Sequence, residues 1–394
     1  MHIRNWEKNL ISWIETHILL LLFCIVTLLG FVIRVSLREF MTDDAYYFLL
    51  PWYDTIKENG GIQSLATQVG DYNLLYQFLI SIMTYIPIPA LYAYKILSCA
   101  FDYALAIAAG FLTKELLPQG SNKIPAFATY TLVLLSPLVF LNSSAWAQCD
   151  SIYAFFAVCS FYFLCKDRYS LSFLCLGMAF AFKLQAIFLV PFFLLVWFMK
   201  RDFSIAAFLW IPVAMIVTAL PAIFAGRNSL DIILIYANQT DTWRALYMNY
   251  PGFLALFTPH NLFNYTAFRN MAIAFTMAVL LVWAAVVIYK KIPATSRNLL
   301  YLFFILCYTC VFFLPSMHDR YGYVYEITAI ILAVIDKKTR PLIIGLLFAT
   351  LMSYAKYLFS YNYLPYGVIA IINLCAYLLY SRHILQRFLE PAKA

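Results

Sequence analysis

Two adjacent carboxylates, Asp43 and Asp44, stand in the first long polar interruption of an otherwise apolar chain. Ionisable groups at a membrane cost free energy, so they usually serve a function. A carboxylate placed there can take a proton from an incoming hydroxyl as a general base, or hold that hydroxyl in position. The alternative is a solvated loop end, or an N-cap for the segment that begins at Ala45, and Asp44 has a suitable side chain for a cap.

Four consecutive residues, His318, Asp319, Arg320 and Tyr321, form a second group. The planar guanidinium of arginine binds phosphate oxygens in pairs and stays charged when it is partly buried. A short charged turn would also contain such residues. Three ionisable side chains in a row beside tyrosine-rich apolar runs favour a binding function, and we expect an anion-binding turn here.

Trp146, Gln148 and Asp150 follow one another at every second position where a further apolar run begins. A connecting loop needs only to be polar, but an aspartate at the start of a membrane span favours a partly buried role. Lys183 and Gln185 lie between two apolar runs that are too short to leave a long loop. Lys183 is therefore expected at or below the outer surface, where it either extends its amine to the interface or pairs with an anion.

These residues belong to a chain of 394 residues that is 64% hydrophobic and only 12% charged. Soluble domains carry about 25% charged residues, so the composition indicates a polytopic membrane protein. The net charge of +8 comes from basic pairs scattered between apolar runs, which is typical of topology signals and not of nucleic-acid binding. The nine cysteines lie mostly inside apolar runs, which favours buried small hydrophobes over a metal or redox site.

The apolar runs predict an all-α integral membrane fold with about twelve transmembrane helices. The short run Tyr72–Ile86 decides the arrangement of the chain. If it lies in the outer interface and does not cross, 17 of the 27 basic residues fall on the inner side. The positive-inside rule favours this arrangement, so we expect both termini in the cytoplasm.

A single polytopic domain over residues 1–394 is expected, with two long outer segments. Residues 34–89 are predicted to form an outer loop with short interfacial helices, and residues 225–270 a second outer loop. The second loop is rich in aromatic and amide side chains, Gln239 among them, a mixture that suits a sugar-binding surface and also an ordinary aromatic belt. In this arrangement, the polar groups singled out above fall on the outer side of the membrane. We therefore expect the chemistry on that side.

Taken in chain order, these segments resemble the polytopic glycosyltransferases of the GT-C class. Within that class they are most similar to the lipid-phosphate glucosyl- and mannosyltransferases. The acidic pair, Trp52 and a Tyr-rich short helix from Tyr72 resemble their first outer loop. Residues 146–150 resemble a W-G-Q-x-D loop with Ala147 in place of glycine, and residues 182–191 an F-K-x-Q-x(5)-P segment. Residues 318–321 resemble an H-E-R-Y element with Asp319 in place of glutamate.

The resemblance implies that a sugar is transferred, with inversion, from a polyprenyl-phosphate donor to an acceptor hydroxyl during assembly of an envelope glycan or glycolipid. Asp44 matches the position of the family's base best, with Asp43 as the second choice. The resemblance implies that the donor phosphate is held by Lys183, His318 and Arg320. The residues expected at the sugar or the acceptor are Trp146, Gln148, Asp150, Gln185, Asp319, Tyr321, Asp71, Tyr72 and Gln239.

No metal or cofactor is expected beyond the lipid-linked sugar, which is a co-substrate, and the expected partners are that donor, the acceptor and membrane lipids. The expected location is a bacterial plasma membrane, with the active site facing outward. Two alternatives stay open. A transporter or flippase of lipid-linked sugars needs paired charges along a midplane path, whereas an envelope glycan polymerase or ligase uses diphosphate-linked donors.

Overall fold

The computed structural model describes residues 4–241, 245–257 and 264–389, apart from the side chains at position 233 and at 237–241. Helices make up almost all the regular structure of this part of the chain, in agreement with the predicted all-α membrane fold. The α-helices are α1 (Asn5–Ser36), α2 (Leu50–Glu58), α3 (Leu74–Met83), α4 (Ala90–Leu116), α5 (Ile124–Leu134), α6 (Pro137–Phe140), α7 (Asp150–Cys165), α8 (Tyr169–Phe182), α9 (Val190–Lys200), α10 (Trp210–Phe224), α11 (Ser229–Asp241), α12 (Tyr265–Tyr289), α13 (Ser296–Phe313), α14 (Tyr323–Ile335), α15 (Arg340–Phe359) and α16 (Tyr366–Leu389).

In the described part of the chain, seven helical segments are long and apolar enough to cross a membrane. They are α1, α4, α12, α13 and α16, together with α10 and α15 extended by the 3₁₀ turns that precede them. The number rises to eight if Ile124–Leu134 and Pro137–Ala145, which meet at an angle of 41°, form one bent span. The prediction of about twelve spans is therefore wrong, although a helix occupies nearly every apolar run on which it was based.

The difference comes from four apolar helical segments of 10–17 residues that were counted as spans, namely α7, α8, α14 and Leu184–Lys200. A helix rises about 1.5 Å per residue, so the 16 residues of α7 extend about 24 Å, less than the roughly 30 Å of a hydrocarbon core. Polar segments adjoin the ends of these short helices. All residues from Asn142 to Asp150 are buried, so the segment before α7 lies inside the helical body and not on a loop outside it.

Buried charge contacts fix the point where residues 34–89, the first predicted outer segment, leave α1. Arg34, in the last turn of α1, lies 2.8 Å from the carboxylate of Asp102 on α4, and both side chains are almost completely buried. Lys95, also on α4, donates through Nζ at 2.7–3.1 Å to the carbonyl oxygens of Leu37, Arg38 and Phe40. These carbonyls follow the end of α1, where a helix leaves acceptors unsatisfied, so α4 sets the path of the chain toward Asp44.

The first outer segment contains the short helices that the sequence predicts. A π-turn over Ala45–Leu49 leads directly into α2, and a 3₁₀ turn over Gly61–Ala66 precedes α3. Two tyrosines join these elements. The hydroxyl of Tyr53 donates to the carbonyl of Met83 at 3.1 Å, and the hydroxyl of Tyr85 donates to the carbonyl of Gly60 at 2.9 Å. The segment is therefore a packed unit and not an open loop.

Two very short strands bring the second predicted outer segment to the end of α13. β1 (Tyr247–Met248) pairs in parallel with β2 (Met317–His318), and Asn249 forms a further bridge with His318. Ser316 takes a φ of +61° just before β2, and its backbone N–H donates to the carbonyl of Leu246 at 2.9 Å. This pairing holds His318 and the residues after it in a fixed turn before α14.

Candidate functional site

The polar segments meet at one cavity of about 700 Å³. Its walls come from residues 44–76, 146–149, 182–188, 248–249 and 314–321, with additional side chains from α12 and α15. The predicted site residues that line this cavity are Asp44, Asp71, Tyr72, Trp146, Gln148, Lys183, Gln185, His318, Asp319, Arg320 and Tyr321.

Asp44 lines this cavity, and three groups contact it. The indole N–H of Trp146 donates to Asp44 Oδ2 at 2.8 Å, and the side-chain amide of Gln148 donates to the same oxygen at 3.3 Å. The backbone N–H of Asp44 donates to the hydroxyl of Tyr357 at 3.0 Å. Asp44 is only partly buried, so its carboxylate is oriented by the protein and accessible from the cavity. This combination suits a general base.

A tight turn places Trp146 and Gln148 beside Asp44. Ala147, between them, has a left-handed φ of +59°, a conformation that is unfavourable for residues other than glycine. The backbone N–H of Gln148 closes the turn by donating to the carbonyl of Asn142 at 2.9 Å. The W-G-Q-x-D loop that this segment resembles has glycine at the position of Ala147. Glycine adopts a left-handed backbone conformation without a steric cost, which gives a physical reason for glycine there.

Asp150 lies beneath the cavity and holds two cations. Its side chain is completely buried, and one carboxylate oxygen contacts Lys183 Nζ. The other oxygen accepts from the amide of Asn142 at 2.9 Å and lies 3.4 Å from Arg320 Nε. Asp150 does not line the cavity, so it is placed to orient Lys183 and Arg320. The contact with sugar or acceptor that the resemblance implies for Asp150 stays a prediction.

Lys183 and Arg320 bring two positive charges against one negative charge. Lys183 has extended backbone, with φ −149° and ψ 135°, where α8 ends and a 3₁₀ turn begins. Arg320 lies with its guanidinium carbon 5.5 Å from the ring centre of Trp146, a cation–π contact. Burial by itself lowers the pKa of Arg320, but the carboxylates of Asp150, Asp319 and Asp44 outweigh it and raise the pKa above its ordinary value. Arg320 therefore keeps its positive charge where it lines the cavity beside Lys183.

The environment opposes charge on both His318 and Asp319. Burial, with the nearby charges of Arg320 and Lys183, lowers the pKa of His318 to about 3. Burial raises the pKa of Asp319 to about 7, although Arg320 acts in the opposite direction. Asp319 Oδ1 is buried without a hydrogen-bond partner among the described residues. His318 is therefore a neutral hydrogen-bonding group at the cavity, and Asp319 Oδ1 is available to a hydrogen-bond donor.

Tyr321 and Gln185 both line the cavity. Burial raises the pKa of the Tyr321 hydroxyl, while Arg320 and, to a smaller extent, Gln185 act in the opposite direction. The Tyr321 ring lies 5.1 Å from the ring of His318 and 6.3 Å from that of Phe188. The contact between Tyr321 and Phe188 joins the turn before α14 to the segment after α8, which were singled out separately in the sequence.

Aromatic rings from the first outer segment form another wall. The ring centres of Trp52 and Tyr72 are 4.9 Å apart and nearly perpendicular. The hydroxyl of Tyr72 donates to that of Tyr94 at 3.0 Å, which fixes the tyrosine from behind. Gly70 crosses the indole of Trp52 with φ +57°, and a Cβ there would lie 2.3 Å from the ring. Asp71 adjoins this wall as an exposed carboxylate that lines the cavity.

Of the adjacent carboxylates Asp43 and Asp44, only Asp44 lines the cavity. Asp43 is exposed and does not line the cavity, which leaves Asp44 as the better placed of the two carboxylates. Gln239 lies on α11, and its side chain falls outside the described part of the chain, so its predicted contact with sugar stays a prediction.

Tyr357 and Arg269 line the cavity but were not singled out in the sequence. Tyr357 stacks on Trp146 with ring centres 4.4 Å apart and planes 15° from parallel. It lies in an apolar run without a motif, and only the packing of α15 brings it to Asp44. Arg269, near the start of α12, lies within the predicted outer loop and had no feature that distinguished it from other loop charges.

No group of three or more His, Cys, Asp or Glu side chains suited to a metal ion occurs among the residues with a described placement. Comparison of the sequence with protein-family models and with curated proteins finds no match.

Proposed function

We propose that the protein is an inverting glycosyltransferase of the GT-C type. It would move a sugar from a polyprenyl-phosphate donor to an acceptor hydroxyl during assembly of a cell-envelope glycan or glycolipid. One observation carries this proposal: a carboxylate, Asp44, and two cations, Lys183 and Arg320, line the same cavity, where Trp146 contacts both Asp44 and Arg320. Sugar transfer from a phosphate needs these two kinds of group close together, a base for the acceptor and positive charge for the leaving group.

In the proposed step, Asp44 takes the proton of the acceptor hydroxyl while that oxygen bonds to the anomeric carbon of the donor sugar. The bond from this carbon to the phosphate oxygen breaks, and the electron pair stays on the phosphate. The lipid phosphate therefore leaves with one more negative charge. Lys183 and Arg320 stabilise this charge where it develops, because both are fixed in advance by Asp150. Attack from the side opposite to the leaving phosphate inverts the anomeric centre.

His318 and Asp319 complete the proposed binding of the donor. A neutral His318 imidazole donates one hydrogen bond, which suits a phosphate or sugar oxygen without adding charge. Asp319 Oδ1 is buried at the cavity without a partner among the described residues, and buried polar atoms of this kind cost free energy until they are satisfied. A sugar hydroxyl would satisfy it.

The membrane location suits a lipid-linked donor. The apolar helices indicate an integral membrane protein, and the cavity wall includes apolar side chains such as Phe48, Ile187 and Ile273 beside the polar ones. We further propose that the cavity faces outward across a bacterial plasma membrane, with both termini in the cytoplasm. Labelling of single cysteines placed at exposed positions 57 and 123 with a membrane-impermeant reagent tests this orientation, because only the first should react in intact cells.

A third cation favours a second candidate, an envelope polymerase or ligase with a diphosphate-linked donor. Arg269 lines the cavity together with Lys183 and Arg320, and a diphosphate carries more negative charge than a monophosphate ester. The two candidates share the base and differ in the donor, so a comparison of donors separates them.

The test is release of the lipid from radiolabelled polyprenyl-phosphate-sugar and polyprenyl-diphosphate-sugar by the purified protein in lipid nanodiscs, with candidate acceptors. We expect turnover of the monophosphate donor, with loss in Lys183→Met and Arg320→Met and retention in Lys123→Met, an exposed control. A preference for the diphosphate donor supports the second candidate. The absence of turnover with either donor contradicts both.

A further inference from the structure

The helix that begins after Asp44 carries a line of side chains into the cavity. Asp44, Phe48 and Trp52 are each four residues apart and all line the cavity. This spacing places them on one face of the π-turn and α2. The Phe48 and Trp52 rings are in contact, with centres 5.8 Å apart. At about 1.5 Å per residue, the line extends roughly 12 Å from Asp44, which is longer than one pyranose ring.

The far end of this line has the chemistry of a sugar-binding site. A sugar ring has an apolar face of C–H groups and a rim of hydroxyls, so it suits an aromatic ring beside a carboxylate. Trp52 and Asp71 provide these two groups at the cavity, and the Trp52 ring is still partly exposed. Apolar and aromatic walls with a few placed polar groups are typical of small-ligand sites.

The structure also holds the indole firmly in place. Gly70 packs directly against the ring of Trp52, where a Cβ would approach to 2.3 Å, and Tyr72 meets it edge to face. The side-chain amide of Gln68 donates to the carbonyls of Gly70 and Tyr72 at 2.9 and 2.7 Å. A membrane-belt tryptophan needs no such support, whereas a ring that binds a ligand gains affinity from being preorganised.

The line joins Trp52 to the proposed base. At one end, Asp44 contacts Trp146, which lies under Arg320. At the other end, along α2, is Trp52. If the donor phosphate binds at Lys183 and Arg320, the acceptor hydroxyl is at Asp44 and the rest of the acceptor follows the line toward Trp52.

We infer that Trp52 and Asp71 form an acceptor subsite for the second sugar ring of a glycan acceptor at least two sugars long. This inference rests on the proposed function for the direction of the acceptor. The binding of a two-ring sugar at Trp52 is separate from turnover and is measured without the donor.

Calorimetric titration of the purified protein in lipid nanodiscs tests the subsite. The probes are methyl glycosides of glucose, galactose and mannose, each compared with the methyl glycoside of the matching disaccharide. We expect at least one disaccharide to bind about tenfold more tightly than its monosaccharide, which corresponds to roughly 1.4 kcal/mol. Trp52→Ala should reduce this ratio to about one, Trp52→Tyr should restore part of it, and Trp6→Ala, an exposed tryptophan on α1, should leave it unchanged.

Equal affinities within every pair in the wild-type protein would overturn the inference, as would a ratio that persists in Trp52→Ala. Release of lipid from the donor is measured on the same preparations. A normal disaccharide preference without any donor turnover would refute the proposed function and leave the subsite standing. Donor turnover without the disaccharide preference would refute the subsite and leave the proposed function standing.

Discussion

Trp146 donates its indole N–H to Asp44 Oδ2 at 2.8 Å, so the orientation of the proposed base depends on a residue 102 positions further along the chain. The same indole stacks on Tyr357 and lies under the guanidinium of Arg320. A single buried ring thus fixes the relative position of the base and one of the two cations. This arrangement makes Trp146 a positioning residue whose loss affects catalysis more than folding.

Replacement of Trp146 by phenylalanine separates these two roles. Trp146→Phe keeps an aromatic ring for Tyr357 and Arg320 but removes the donor to Asp44. Hydrogen bonds to charged groups contribute about 1.5–3 kcal/mol, so kcat should fall roughly 10- to 100-fold while the thermal unfolding midpoint changes little. Trp13→Phe, at an exposed position on α1, is the control and should keep full activity. An unaltered kcat in Trp146→Phe would show that the indole N–H is not needed.

Removal of Asp150 should affect stability and donor binding together. Asp150→Asn leaves Lys183 and Arg320 without their shared carboxylate, and loss of one partner of a buried ion pair costs about 3–5 kcal/mol. We expect a lower unfolding midpoint in denaturant and a higher KM for the donor. The double variant Asp150→Asn/Lys183→Met should recover part of the stability but none of the activity. Equal stability of Asp150→Asn and the wild type would contradict the role of Asp150 in holding Lys183 and Arg320.

The raised pKa of Asp319 makes stability depend on pH. Burial raises this pKa to about 7 in the folded protein, whereas an unfolded aspartate titrates near 4. Between these values the folded state binds the extra proton, so the free energy of unfolding falls as pH rises from about 4 to about 7 and is constant above that.

Asp319→Asn removes this titration and should flatten the pH profile of the unfolding free energy over that interval. Denaturant unfolding at several pH values measures the effect. Asp54→Asn, an exposed aspartate on α2, should keep the wild-type slope. If Asp319→Asn shows the same slope as the wild type, another group is responsible for the dependence.

The left-handed turn at Ala147 predicts a stabilising substitution. Ala147 has φ +59°, which costs about 1 kcal/mol for a residue with a Cβ, so Ala147→Gly should raise the free energy of unfolding by roughly that amount at most. Ala154→Gly, in the interior of α7, should lower it by about 1 kcal/mol. Chemical denaturation of both variants measures the difference, and destabilisation by Ala147→Gly would show that the turn is not strained.

Residue types and order along the chain were enough to predict much of the candidate site. Asp44, Lys183 and Arg320 were identified because carboxylates and cations are costly beside apolar runs, and the structure brings all three to one cavity. Their contacts were not foreseeable in the same way. Asp150 was expected at a sugar, but its burial beneath Lys183 and Arg320 depends on the packing of three separate segments.

The number of spans and the role of Tyr357 show what local sequence could not provide. Hydrophobicity located α7, α8 and α14, but it did not reveal that these helices stop short because polar segments at their ends lie inside the protein. Tyr357 has no motif around it, and its contact with Asp44 spans 313 positions. The expected orientation in the membrane depends on the positive-inside rule and stays a prediction.

The rate of single-turnover sugar transfer in Asp44→Asn, measured together with the donor Kd, tests the proposed base most directly. General-base catalysis contributes about 10²- to 10⁴-fold, so we predict a loss of that size with a donor Kd within about threefold of the wild type. Asp54→Asn should transfer at the normal rate, and a loss in Asp43→Asn instead would move the base by one residue. Wild-type rates in both Asp44→Asn and Asp43→Asn would contradict the account.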